Sequence, residues 1–168
     1  NLMAGYTFNT SGWSLDIEMY KKNIDGAIQF SPSRPGFEFG NGAIPLKNYR
    51  IYSGERKVIG MDVMLSYKKK NYTSWLAYTL SKSTDAYPAI YQGKDFASQD
   101  DRRHQLKWIN NLELGPFLLT NNVVFASGRP YLPLEILTTD QDRADIDPNT
   151  FIKNLPAYFR LDLGIEYG

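Results

Sequence analysis

KVIGMDVMLSYKKKNYTSWLAYTLS, Lys57–Ser81, decides the fold. From Lys57 to Tyr67 one side-chain set is Ile59, Met61, Val63, Leu65 and Tyr67, and the other is Val58, Gly60, Asp62, Met64 and Ser66. A period of two with one apolar and one wetter set is the signature of a β-strand. After a short basic turn, Thr73–Ser81 repeats it, with Leu76, Tyr78 and Leu80 on one side and Trp75, Ala77, Thr79 and Ser81 on the other. The two runs read as a hairpin, and the rest of the chain reads as further copies of it.

Working outward, Leu2–Phe8 is a short strand ending at the turn NTSG, Asn9–Gly12. Trp13–Lys21 alternates Trp13, Leu15, Ile17 and Met19 against Ser14, Asp16, Glu18 and Tyr20, and extends toward Ile28 through Gly26. Beyond the hairpin, Arg102–Leu114 and Phe117–Ser127 flank the tight turn Gly115–Pro116; Ile109, Asn110 and Asn121 fall out of phase. Ala157–Tyr167 alternates most cleanly, setting Phe159, Leu161, Leu163 and Ile165 against Arg160, Asp162 and Glu166. Seven strands result. Their connections alternate short with long; the long ones are Ser31–Tyr49, Thr84–Gln99 and Gly128–Leu155. No segment carries a helical apolar stripe.

Composition narrows the class. The 168 residues carry a net charge of +1 and a pI near 8.0, and no basic run is longer than Lys68–Lys70, so nucleic acid is not an expected partner. There is no cysteine, which excludes disulfide frameworks and Cys-based metal or nucleophile chemistry. The start, NLMAGYTFNT, lacks the basic-then-apolar order of a signal peptide; the chain is expected to be cytosolic, a mature product or a piece of something longer. No stretch approaches the apolar length of a transmembrane helix, but a transmembrane strand needs only ~9–11 residues, half of them polar. A mean hydropathy of −0.43 suits that alternation.

Three features favour a bilayer over a soluble sandwich. Short turns alternating with long loops match outer-membrane barrels. The 12 Tyr, 9 Phe and 3 Trp gather at strand ends. Phe8, Trp13, Tyr67, Tyr72, Phe117 and Tyr167 lie toward the short turns, and Tyr49, Tyr52, Phe125, Tyr158 and Phe159 toward the long loops, as in the aromatic belts of membrane interfaces. Finally, the second face holds Asp16, Glu18, Arg103, Lys107, Arg160, Asp162 and Glu166. Buried dry, these would cost several kcal/mol for each unpaired charge. An odd strand count leaves open edges that hydrocarbon does not tolerate, so either a strand has been missed or the sheet belongs to a larger barrel.

Several stretches in order resemble one family. GERKVIGMDVMLSYK (Gly54–Lys68), WLAYTLSKSTD (Trp75–Asp85), DDRRHQL (Asp100–Leu106), FASGRPYLP (Phe125–Pro133) and LPAYFRLDLGIEYG (Leu155–Gly168) are similar to the C-terminal part of the barrel of TonB-dependent outer-membrane transporters, especially those of Bacteroidetes. The resemblance implies an all-β, antiparallel transmembrane wall within a roughly 22-stranded, plugged barrel. Residues 1–168 would then be a single segment of the barrel domain, without the plug, the TonB box or the final hairpin. It implies active uptake of an unidentified nutrient. The implied partners are the remaining barrel and plug, the TonB complex, lipid and lipopolysaccharide, and a surface lipoprotein. A small passive porin or structural barrel, and a soluble ligand-binding β-barrel, stand as alternatives.

Candidate site residues follow. Arg103, Arg160, Asp162 and Glu166 are expected to face the lumen, and Tyr87, Tyr91 and Tyr131 to offer rings to a ligand from the loops. Asp140, Asp142, Asp145 and Asp147, with Asn149, form an acidic loop cluster that could hold weak Ca²⁺, although the spacing is not that of an EF-hand. No other cofactor is expected. His104, the sole histidine, would need Ser127 or Ser98 within reach to act as a catalytic dyad; with no GxSxG or HExxH motif, no enzyme is expected.

Overall fold

The computed structural model describes residues 1–32, 49–133 and 145–168. Seven long antiparallel strands form one sheet in chain order: β1 (Leu2–Thr10), β2 (Trp13–Pro32), β3 (Tyr49–Lys69), β4 (Tyr72–Ala86), β6 (His104–Leu114), β7 (Phe117–Ala126) and β10 (Tyr158–Tyr167). The short β5 (Phe96–Ala97) pairs with β4 above β6, and β8 (Pro130–Tyr131) pairs with β9 (Lys153–Asn154) to pinch the base of the last long connection. The expected all-β, antiparallel wall is what the chain forms.

Three hairpins close on two residues, between Thr10 and Trp13, Lys69 and Tyr72, and Leu114 and Phe117. Such tight turns need a left-handed residue. Gly12 (φ 81°), Lys70 (φ 45°) and Gly115 (φ 59°) supply it. Each hairpin fixes the register of its strands, and directly opposed residues project to one face. Whole rows can therefore be followed across the wall. One runs Phe8, Leu15, Leu65, Leu76, Trp108, Val123, Leu161; the next runs Tyr6, Ile17, Val63, Tyr78, Leu106, Phe125, Phe159. The rows that alternate with them belong to the other face: Thr7, Asp16, Met64, Ala77, Lys107, Val124, Arg160 between the two, and Gly5, Glu18, Asp62, Thr79, Gln105 next above. Acids on that polar face find local donors: Thr7 Oγ1 donates to Asp16 at 2.7 Å, and Thr79 Oγ1 to Asp62 at 2.6 Å.

The apolar face is bare. Leu163 keeps 77% of its surface, Leu2 74% and Ile59 58%, far more than a soluble core would allow. At the short-turn end Trp13 meets Tyr67 with ring centroids 4.3 Å apart, and Phe117 meets Tyr167 at 5.4 Å. This lower belt lies where the sequence places it. The upper belt is corrected. Phe125 and Phe159 share the apolar row, but Tyr158 opposes Ala126 in a polar row and Tyr52 packs beneath the loops on the polar face. The side chain of Tyr49 lies outside the described set.

Two apparent breaks in phase resolve without a bulge. The β6–β7 ladder is continuous, so Ile109 falls on the polar face, and Asn110 opposes Asn121 on the apolar one. Tyr72 donates its hydroxyl to Asn110 Oδ1 at 2.6 Å, and Asn110 Nδ2 donates to Asn121 Oδ1 at 2.7 Å. A polar pair on this face is tolerated because its members satisfy one another. The true bulge is at Gly26 (φ 80°), where β2 slips one residue against β3.

β2 and β3 also run further than the alternation suggests, with β3 beginning at Tyr49 rather than Lys57. On the polar face, the ring of Tyr20 lies over Gly60; a Cβ there would stand 2.5 Å from Tyr20 ring atoms. Gly60→Val is expected to destabilise the barrel by about 1–3 kcal/mol through overpacking, with partial recovery in Gly60→Val/Tyr20→Ala. Guanidinium unfolding followed by gel band-shift measures both, and wild-type stability for Gly60→Val would refute the contact.

Candidate functional site

The long-loop end of the polar face is roofed over. Beyond the bulge, β2 turns Ala27 and Gln29 to this face; β3 contributes Tyr52, Gly54 and Arg56, and β4 contributes Ser83 and Asp85. On them sits an aromatic cluster of Tyr87, Ile90, Tyr91, Phe96 and Ile146, with Ala27, Tyr52, Leu132 and Ile152 packed around it. Phe96 meets Tyr91 edge-on at 5.2 Å and Tyr87 at 6.0 Å. Gly54 is where the loop comes nearest the sheet. A Cβ there would collide with the Ala86 carbonyl and the Tyr87 ring, so only glycine lets the chain cross.

Charge holds the roof down. Arg56 Nε donates to Asp85 Oδ1 at 2.6 Å and Nη2 to Asp85 Oδ2 at 2.9 Å, while Nη1 reaches Asp100 Oδ2 at 2.8 Å. One guanidinium thus ties β3 to the end of β4 by a two-pronged fork and to the loop beyond by a third bond. Nearby, Asp101 accepts from the Ser83 backbone N–H at 3.0 Å and from Arg103 Nη2 at 2.9 Å. The last long connection is clasped to the middle one. Lys94 Nζ reaches Asp147 Oδ2 at 2.7 Å, Gln92 Nε2 donates to the Asp145 carbonyl at 2.7 Å, and Asn149 Nδ2 donates to the Asp95 carbonyl at 3.1 Å. Lys94 and the Asn149 backbone N–H hold the Asp147 carboxyl below the usual carboxylate range, and burial pushes the Tyr87 phenol up. Under the roof, Gln29, Arg56, Asp85, Tyr87, Gln99 and Asp100 line a cavity of about 340 Å³. Arg56 gives three of its five N–H groups to Asp85 and Asp100, so the groups that can meet a solute are its two remaining N–H donors, amides, carboxylate oxygens and ring edges.

The sequence candidates scatter. Arg160, Asp162 and Glu166 share the polar face, where Arg160 Nε pairs with Asp162 Oδ1 at 2.9 Å and Asn122 Nδ2 donates to Asp162 Oδ2 at 3.3 Å. Arg103 lies beyond them, occupied by Asp101. Tyr87 and Tyr91 retain 3% and 0% of their surface, so their rings pack the roof rather than face solvent. Tyr131, half-buried, sits in β8. Asp140 and Asp142 lie outside the described residues; Asp145 is exposed, and Asp147 is committed to Lys94 and Asn149. Among the described residues no group of acids, cysteines or histidines is arranged to hold a metal ion. His104 Nδ1 meets the Tyr78 hydroxyl at 2.8 Å, Ser127 Oγ binds the His104 backbone instead of its ring, and Ser98 is fully buried, so neither serine serves the imidazole.

Arg56 and Asp85 were missed, yet a signal exists. Extending the Lys57–Ser81 hairpin register past its upper end brings these two residues directly opposite.

A family model described as TonB dependent receptor-like, beta-barrel matches residues 1–168. The chain belongs to the TonB-dependent receptor-like β-barrel family. That family consists of outer-membrane receptors and transporters rather than enzymes, which places the bare apolar face toward lipid and leaves the soluble-barrel alternative without support. No curated protein and no solved structure matches the chain.

Two tests address the roof. Arg56→Gln leaves Asp85 covered and unpaired. It is expected to cost about 2–3 kcal/mol, below the 3–5 of a fully buried pair because the Arg56 side chain keeps 27% exposure. Faster proteolytic nicking within 87–103 reports it. Because the Asp147 pKa is lowered by folding, its contribution is present above the ordinary carboxylate pKa and is lost as pH falls through the depressed value. Protection of 145–150 against hydrogen exchange should hold from neutrality to pH ~4 and fail only below, and Asp147→Asn should abolish that acid transition.

Proposed function

We propose that this chain builds a stretch of wall in a TonB-dependent receptor that takes up a nutrient actively across the outer membrane, of the type found in Bacteroidetes. The observation that carries this reading is the match of the receptor barrel family over residues 1–168. The two-faced rows support it. On β3 the apolar set extends from Ile59 to Tyr67, near the ~9–11 residues that a tilted strand uses to cross hydrocarbon. The polar face then borders a water-filled, plugged lumen, with Arg103, Arg160, Asp162 and Glu166 bordering the plug or the solute path.

Within the described residues β1 and β10 each pair on one side only. In lipid such edges need partners, so further strands of the same receptor continue the sheet on both sides and close it around the plug. The roofed end faces outward from the cell. There the cavity of Gln29, Gln99, Tyr87 and the carboxylates belongs to the vestibule through which a polar solute passes, and a surface lipoprotein would dock above it. TonB acts on the plug from the opposite end.

Single-tryptophan receptors test the orientation. In vesicles of brominated-chain lipid, Trp108 on the apolar face should lose most of its fluorescence, and Trp75, opposed to Ser66 and Ile109 on the polar face, should lose little. Equal quenching of both, or a monodisperse species without detergent, would sink the proposal.

A further inference from the structure

Among the described residues, left-handed backbone runs through three consecutive positions at one place: Tyr91 (φ 57°), Gln92 (φ 56°) and Gly93 (φ 63°). Only the third is a glycine. This conformation disfavours a residue with a side chain by about tenfold, so two such residues in succession persist only where surrounding contacts impose them. Those contacts lie on both sides of the turn. Inward, the Tyr91 ring is fully buried and meets Phe96 edge-on at 5.2 Å, and its hydroxyl accepts from Gln29 Nε2 of β2 at 3.2 Å. Outward, the following residues make the clasp. Gln92 Nε2 donates to the Asp145 carbonyl, Lys94 Nζ to Asp147, and the Asp95 carbonyl accepts from Asn149. The Asp95 carboxylate adds a half-exposed contact to Lys57 of β3 at 3.5 Å. Two bonds close the turn itself, from the Gly93 N–H to the Ile90 carbonyl at 3.1 Å and from the Lys94 N–H to the Tyr91 carbonyl at 3.0 Å. The strained backbone thus spans the gap between a buried ring and the clasp.

The inner contacts reach the cavity. Gln29 and Phe96 both line it, and both touch Tyr91. At 3.2 Å the bond from Gln29 to Tyr91 is at the long end of the range for N–H···O, so a solute oxygen that accepts this N–H at shorter range displaces the hydroxyl. Tyr91 then loses a contact that holds it down, and the left-handed turn relaxes. Gln92 and Lys94 ride on that turn, so their bonds to the last connection go with it. Coupling of this kind is reciprocal: freeing Asp145 and Asp147 also weakens the hold of Tyr91 on Gln29.

We propose that Tyr91–Gly93 is a strained catch through which a solute in the cavity releases the clasp between the two long connections, the Tyr91 hydroxyl holding the Gln29 N–H that the solute takes. The proposal deepens the vestibule reading given above and rests on it for the solute.

Hydrogen exchange on the intact receptor in detergent tests the catch. The Gly93 and Lys94 amides report the turn. The Thr150 and Phe151 amides, bonded to the Asp147 and Pro148 carbonyls, report the far side of the clasp. Gln29→Met keeps the volume and withdraws the N–H from Tyr91, as a bound solute does. It should speed exchange at all four amides about fivefold, the effect of one lost hydrogen bond. Tyr91→Phe should do at least as much, and the double variant should exchange no faster than Tyr91→Phe, because both changes remove the same bond. At position 92, Gln92→Ala and Gln92→Gly both lose the bond to Asp145, so comparing them isolates the backbone. Gln92→Gly should protect Gly93 and Lys94 about fivefold better than Gln92→Ala. Acceleration confined to Gly93 and Lys94 in Gln29→Met overturns the coupling. Protection in Gln92→Ala equal to or above that in Gln92→Gly overturns the strain, and a double variant faster than Tyr91→Phe overturns the shared bond. These amides report the catch whichever face of the wall meets lipid, so their failure leaves the bromolipid result on Trp108 standing. An unquenched Trp108 beside coupled exchange overturns the solute's role together with the uptake reading. Wild-type heat-modifiability of each variant shows that the barrel is intact.

Discussion

Hydrocarbon offers no hydrogen bonds, and this wall is arranged around that lack. Each backbone N–H and C=O within it must find a partner on a neighbouring strand, so the ladders run long and nearly unbroken. Ten consecutive pairs join β6 to β7, and ten join β7 to β10. The side chains follow from the ladders. Because the register is fixed by two-residue turns, every residue is assigned to one face, and a polar group on the wrong face must carry its own partner. Asn110 and Asn121 do this. The slip at Gly26 occurs well above the apolar rows, where water can serve the unpaired backbone.

That same physics decided what could be read from sequence. Where a strand crosses lipid, alternation is enforced, so Ile59–Tyr67 and Phe159–Tyr167 announced themselves. Above the apolar rows the constraint relaxes. Tyr49–Arg56 is still strand, but one of its faces meets loops rather than lumen water, and Ser53 and Gly54 blur the pattern. Tyr52 and Tyr158 look like interfacial aromatics by position along the strand; phase, not position, puts them on the other face.

The site was less legible than the wall. Tyr87 and Tyr91 look like ligand-stacking rings in an open loop, and only the fold reveals that they bury one another with Phe96. Arg56, Asp85 and Asp100 are far apart in the chain and meet only through register and loop return.

The two ends of the wall differ in how much change they can absorb. At one end every connection is two residues long, with its left-handed position taken by Gly12, Lys70 or Gly115. Adding or removing a single residue there would turn a strand's lipid side inward. At the other end the connections are long, and the middle and last of them are anchored to one another by side chains. New sequence, a foreign epitope or a relocated chain terminus could therefore be spliced only on that side, and divergence among related walls should be concentrated there, while the opposite rim keeps its length.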